Sequence, residues 1–154
     1  MNLKDRFSGA LLGGAIGDAL GVPAEKRTPE EIRARYGEIR GFVAPWDAPG
    51  VNPRYRGDGN ITDDSLMMAA LCRVYLEKRD HLDARDAATY LVPHLLAPDT
   101  FVPEYGRPMA LIERLFYPEK YLYLRLKLAN VDPREGGLGN MVNCGAAMYV
   151  APIG

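Results

Sequence analysis

The stretch "ITDDSLMMAALCRVY", residues 61–75, decides how the rest of the chain is read. Leu66, Met67, Ala70, Leu71, Val74 and Tyr75 recur at helical spacing and make one apolar stripe, so the segment is an amphipathic helix. Its beginning is unusual. Two adjacent carboxylates, Asp63 and Asp64, stand between the hydroxyls of Thr62 and Ser65. Carboxylates in a first turn interact favourably with the helix dipole, at ~0.3–1 kcal/mol each, and an N-cap contributes about 1 kcal/mol. Capping, however, needs one residue. Side chains at adjacent positions point about 100° apart, so one aspartate can cap while the other faces a cavity. Thr62, Asp63 and Asp64 also form the hard oxygen set that suits Mg²⁺. The residues alone leave a structural cap and a metal site as alternatives.

Working outward, helix dominates. Leu3, Phe7, Ala10, Leu11 and Ala15 keep helical spacing near the N-terminus, and Gly9, Gly13 and Gly17 repeat every four residues. That glycine row predicts a smooth face against which another helix packs closely. In "TPEEIRARYG" Thr28 caps, Pro29 takes the first position, Glu31 completes a capping box and Gly37 ends the helix. Residues 38–60, rich in Gly, Pro and aromatics, read as a long irregular segment of the kind that often carries function. Asp83 caps a helix from 84 to about 92 that Pro93 kinks or ends, and Pro108 opens another through Phe116. "YLYLRLKL", 121–128, alternates like a strand, but its helical context and stripe favour helix. The resulting fold class is all-α.

The bounds agree. A chain of 154 residues with 47% hydrophobic and 25% charged residues is one soluble domain with a real core. A net charge of −1 gives no electrostatic footprint for nucleic acid or anionic membrane. Cys72 and Cys144 make no disulfide framework, which fits a reducing, cytoplasmic setting. Lys4 and Arg6 before an apolar run resemble a signal peptide, but Asp5 interrupts the basic region and no cleavage pattern follows. Against the ~20 apolar residues a bilayer requires, the run reads as too short.

Three further features carry chemistry. Asp18 sits at the C-terminal end of its helix, where the dipole disfavours an anion, among Ala15, Ile16, Ala19 and Leu20. Such a carboxylate needs a partner, either backbone N–H groups of the turn "ALGVP" or a cation. Glu25, after a Gly-Pro turn, reads equally as a solvated loop acid. In "EGGLGNMVNCGAAM" the glycines allow close backbone approach, and a helix starting near Gly145 offers N–H groups to an anion such as phosphate. His81 and His94 lie in no catalytic pattern.

Together "GGAIGDALGVPAE" (13–25), "GNITDDS" (59–65) and "GNMVNCGAAMYVAPIG" (139–154) resemble the ADP-ribosylglycohydrolase family in content, order and separation. The resemblance covers essentially the whole chain. It implies an orthogonal bundle of many helices with a cleft holding two Mg²⁺ or Mn²⁺ ions. It also implies hydrolysis of the glycosidic bond between ADP-ribose and an acceptor, in an ADP-ribosylated protein or a small ADP-ribose-containing molecule. By the same resemblance Thr62, Asp63 and Asp64 ligate metal and Glu25 is the catalytic carboxylate at the reactive ribose. Gly139, Asn140, Asn143 and Gly145 then bind ADP-ribose near its phosphates. Two departures stand out. Tyr149 follows Met148 where the family often has a basic residue, and the family's second, Asp-x-Asp motif does not occur in these 154 residues. Residues 1–154 therefore read as the N-terminal half of one such domain, truncated inside it, with uncovered apolar faces and self-association expected. A non-catalytic relative that binds ADP-ribose is the alternative.

Overall fold

The computed structural model describes residues 2–44, 59–102, 106–114, 132 and 145–153. Helix dominates these residues. Helix α1 is Leu3–Gly21, capped by Asn2 in a reciprocal box with Asp5. A single 3₁₀ turn, Val22–Ala24, follows it. Helix α2, Pro29–Tyr36, starts and ends as its sequence predicts: Thr28 and Glu31 close the capping box and Gly37, at φ +68°, terminates it. Residues 38–44 contain no helix or strand, and the Tyr36 hydroxyl donates to the Ala44 carbonyl at 2.9 Å.

Helix α3, Asp63–Lys78, is the central element. Most of its predicted stripe is its buried face: Leu66, Met67, Ala70 and Val74 are all in the core, with Leu71 packed at the margin and Tyr75 half-buried outside that cluster. Next come α4, Ala84–Asp86, a π-helical turn at Ala87–Leu91, and α5, Val92–Leu96. The predicted break at Pro93 is absorbed instead. The wider turn just before it hands the Val92 N–H to the Ala87 carbonyl, and helix continues to Leu96 although Pro93 donates nothing.

The helix predicted from Pro108 is overturned. Thr100–Val102 (β1) and Arg107–Met109 (β2) form a short antiparallel hairpin, Phe101 opposite Pro108. Gly106, at φ +62°, makes the bend. A two-stranded ribbon tolerates Pro108 because each of its strands is an edge that need not donate on both sides. A 3₁₀ turn, Leu111–Arg114, follows, and α6, Gly145–Met148, is a single helical turn.

The core joins α3, the π turn, α5, the 111–114 turn and Tyr149. Helix α1 lies against α3. The close approach expected along Gly9, Gly13 and Gly17 is not there: among the described residues nothing comes within 4 Å of a Cβ at any of them. The tight contact is at Gly14, where a Cβ would meet Met68 Sδ at 3.3 Å. Leu3, Leu12 and Ile16 stay exposed on α1. Contrary to the reading that this segment is too short, Leu3–Ala24 is long and apolar enough to cross a membrane by length and composition alone. Its contact with Met68, and the hydrogen bonds of Asp18 to Thr62 and Ser65, are those of a helix docked on protein. Residues 121–128 and Cys144 lie outside the described residues.

Candidate functional site

Two helix ends meet at the start of α3. Asp18, near the C-terminal end of α1, reaches the N-terminus of α3 and is half-buried there. Its Oδ2 accepts from the Thr62 backbone N–H at 2.8 Å, the Ser65 N–H at 3.3 Å and the Ser65 hydroxyl at 2.5 Å. Its Oδ1 accepts from the Thr62 hydroxyl at 2.8 Å. Among the described residues the carboxylate's hydrogen-bond partners are thus Thr62 and Ser65 rather than the "ALGVP" turn. The physical reason is complementary: an anion disfavoured at the negative end of its own helix is favoured at the positive end of another. The sequence carried a signal for this, since Thr62 and Ser65 are both hydroxyl residues on the first turn.

Thr62 is the cap of α3. Extended at φ −105°, it accepts the Asp64 N–H on its Oγ1 at 3.2 Å. Neither aspartate is the cap, so of the alternatives left open by the residues, an aspartate cap is set aside. Asp63 and Asp64 both occupy the first helical turn and both are half-buried. Upstream, Gly59 at φ +78° admits no side chain easily, and a Cβ there would also touch the Phe42 ring at 3.4 Å.

The segment is held from its other side by Arg114. This side chain is only 6% exposed, and its Nη2 donates to the Ile61 carbonyl at 3.2 Å. Among the described residues the buried polar side chains are Ser65 and Arg114, and both serve the start of α3. Sequence reasoning missed Arg114, because an arginine inside "ALIERLF" carries no motif.

Glu25 follows the 3₁₀ turn, with its backbone N–H on the Val22 carbonyl at 3.2 Å. Its carboxylate is exposed, 3.5 Å from Lys26 Nζ. Among the described residues no three His, Cys, Asp or Glu side chains converge as a metal cluster, so Glu25, Asp63 and Asp64 do not share one there. Gly145 is buried and does open a helix, but α6 has four residues, too few to build much of a dipole. Gly139, Asn140 and Asn143 lie outside the described residues.

At the far end of α3 Lys78 pairs with Asp86; this hydrogen bond holds the Asp86 carboxyl below, and the Lys78 ammonium above, its ordinary value. Burial pushes the Cys72 thiol up, which makes it a poor nucleophile.

Against known proteins, the family described as ADP-ribosylglycohydrolase matches residues 1–154. An uncharacterized protein of Archaeoglobus fulgidus is 31% identical over 155 residues, covering 99% of this chain and 43% of that protein. The uncharacterized protein YegU of Escherichia coli is 27% identical over 150 residues, covering 97% of this chain and 41% of that protein. The chain therefore spans less than half the length of these curated relatives. No solved structure matches it. With its mostly helical architecture and a family match along the entire sequence, the chain belongs to the ADP-ribosylglycohydrolase family.

Proposed function

We propose that this chain supplies the first metal-ligand turn of a hydrolase that cleaves the bond between ADP-ribose and an acceptor, with Mg²⁺ or Mn²⁺. The observation that carries the reading is the arrangement around Thr62. Its hydroxyl proton goes to Asp18 and one oxygen lone pair takes the Asp64 N–H. A hydroxyl oxygen has two lone pairs. The second is available in principle to a cation, and the proton is already directed away from it. Asp63 and Asp64 stand beside it as hard carboxylate donors, and neither is used as the cap. These residues fit a hard divalent ion. Asp18 would act behind them by orienting Thr62, as carboxylates behind metal ligands commonly do.

A bound ion of this kind polarises water and sugar hydroxyls at neutral pH. The chain's own part is then to hold Thr62, Asp63 and Asp64 in a fixed turn. Glu25 would take a proton from the attacking water as the glycosidic bond breaks, its exposure leaving it open to substrate. The segment 139–145 would contact the ADP-ribose phosphates through backbone N–H groups, with Asn140 and Asn143 as side-chain donors.

A second reading is binding of ADP-ribose without cleavage. The lack of a three-residue metal cluster among the described residues favours it. One experiment separates the two. Mn²⁺ is titrated calorimetrically into the chain, and ADP-ribose release from an ADP-ribosylated protein is followed in parallel. The hydrolase reading expects Mn²⁺ binding that Asp63→Ala and Asp64→Ala weaken at least tenfold. Weak binding and little release by the isolated chain are expected, because a divalent ion needs about six oxygens. Indifference of Mn²⁺ binding to both substitutions would sink the metal reading. ADP-ribose binding that needs no Mn²⁺ and is unchanged by Asp63→Ala and Asp64→Ala would favour the second.

A further inference from the structure

We infer that Arg114 is a positioning residue for the Thr62–Asp64 turn, acting through the Ile61 carbonyl. The inference rests on the metal-turn reading for its functional meaning and on geometry for its substance. The peptide unit between Ile61 and Thr62 is held at both ends. Its C=O accepts from the Arg114 guanidinium at 3.2 Å, and its N–H donates to the Asp18 carboxylate at 2.8 Å. A cation on the oxygen and an anion on the nitrogen polarise the amide in the same sense, so each bond strengthens the other. Clamping that plane fixes the backbone torsions on either side of it, and so the direction in which the Thr62 side chain leaves the chain.

The location of Arg114 gives the clamp its rigidity. It closes the Leu111–Arg114 turn, whose Leu111 and Ile112 are core residues, and that turn packs on α5. Ile61 packs on the same core. Burying a guanidinium is costly unless hydrogen bonds compensate it, and an apolar residue of similar volume would often be at least as stable. A charge retained at 6% exposure, bonded to the residue before Thr62, therefore specifies position rather than adding stability.

The test uses the whole chain with Arg114→Met, Arg114→Lys and, as a control of general destabilisation, Leu95→Ala. Leu95 is fully buried and takes no part in the clamp's hydrogen bonds. Amide hydrogen exchange is read at Thr62–Ser65 and at Leu71–Val74, and Mn²⁺ affinity by calorimetry. The expected result for Arg114→Met is a tenfold or greater acceleration at Thr62–Ser65 beyond any change at Leu71–Val74, with Mn²⁺ affinity lowered ~10-fold or more. Arg114→Lys, which keeps a charge and a donor, loses less of both. Leu95→Ala accelerates the two sets of amides alike. The inference is overturned if Arg114→Met behaves like Leu95→Ala at Thr62–Ser65. Absence of Mn²⁺ binding by the wild-type chain, together with the selective exchange change in Arg114→Met, would leave the clamp standing and sink the metal reading instead.

Discussion

Replacing Asp18 by asparagine keeps its shape and removes its charge, and the hydrogen-bond pattern dictates how the new amide must sit. The Oδ2 position accepts two backbone N–H groups and the Ser65 hydroxyl, so the amide oxygen must occupy it. The amide nitrogen then takes the Oδ1 position, facing the Thr62 hydroxyl at about the present 2.8 Å. It can only donate. Thr62 Oγ1 must accept that bond while still accepting the Asp64 N–H, so both lone pairs are occupied and its proton turns outward. Stability falls because charge-assisted bonds become neutral ones, typically half as strong. Four bonds are affected at a half-buried site, and a loss of about 0.5 kcal/mol from each sets the total at about 2 kcal/mol. For a chain of this size that is ~4–8 °C in Tm. Metal affinity should fall further, ~10-fold or more, since one oxygen ligand is withdrawn. Thermal denaturation and Mn²⁺ calorimetry on the same preparation measure both. A variant with unchanged Mn²⁺ affinity and the expected Tm loss would refute the role given to the Thr62 lone pair. Unchanged Tm would refute the bonding scheme itself.

Other expected outcomes rest on single positions. Gly13→Ala should raise stability by about 0.5–1 kcal/mol in urea denaturation, because alanine favours helix and none of the described residues lies within 4 Å of the new methyl; a loss would mean that the face is covered. Met67→Ala, at 0% exposure, should cost about 2–5 kcal/mol by the same assay. The Lys78–Asp86 pair sets a pH dependence with two limbs. The Asp86 carboxyl is lowered chiefly by the Lys78 hydrogen bond, so its contribution is present above its unfolded value of ~3.9 and is lost as pH falls through the lower folded one. The raised Lys78 contributes fully below its unfolded value of ~10.4, and loses that contribution as pH rises through the folded one. Lys78→Met should flatten both limbs of the stability–pH curve; limbs as steep as wild type would argue against the pairing.

Local chemistry was legible in the sequence, and distant pairing was not. Thr28 with Glu31, the Asp83 cap and the apolar stripe of α3 each involve residues within a few positions, and they are found where the sequence puts them. Asp18 announced that it needed a partner, but that partner stood 44 residues away, where spacing gives no information. Pro108 was misread because a proline opens a helix and sits on an edge strand with the same φ. Only the opposing Thr100–Val102 decides between them. Arg114 was illegible for the reverse reason: an arginine is expected outside, and a carbonyl to which its guanidinium donates lies 53 residues earlier. The glycine row on α1 gave a correct helix and a wrong face, since the close contact fell one position over, on Gly14.

The bond between Asp18 and Thr62 closes a loop of the chain without a covalent link. Once its ends are fixed, the length of chain running between them has only a logarithmic cost: doubling such a loop loses about 0.6 kcal/mol. The cost of holding the turn that bears Asp63 and Asp64 therefore depends only weakly on the length of the connection from α2. Over evolutionary time this connection is free to lengthen, shorten or change composition while the aspartates keep their places. A family built this way can revise what it recognises beside the turn independently of the turn itself, and variation among its members should concentrate between Tyr36 and Gly59.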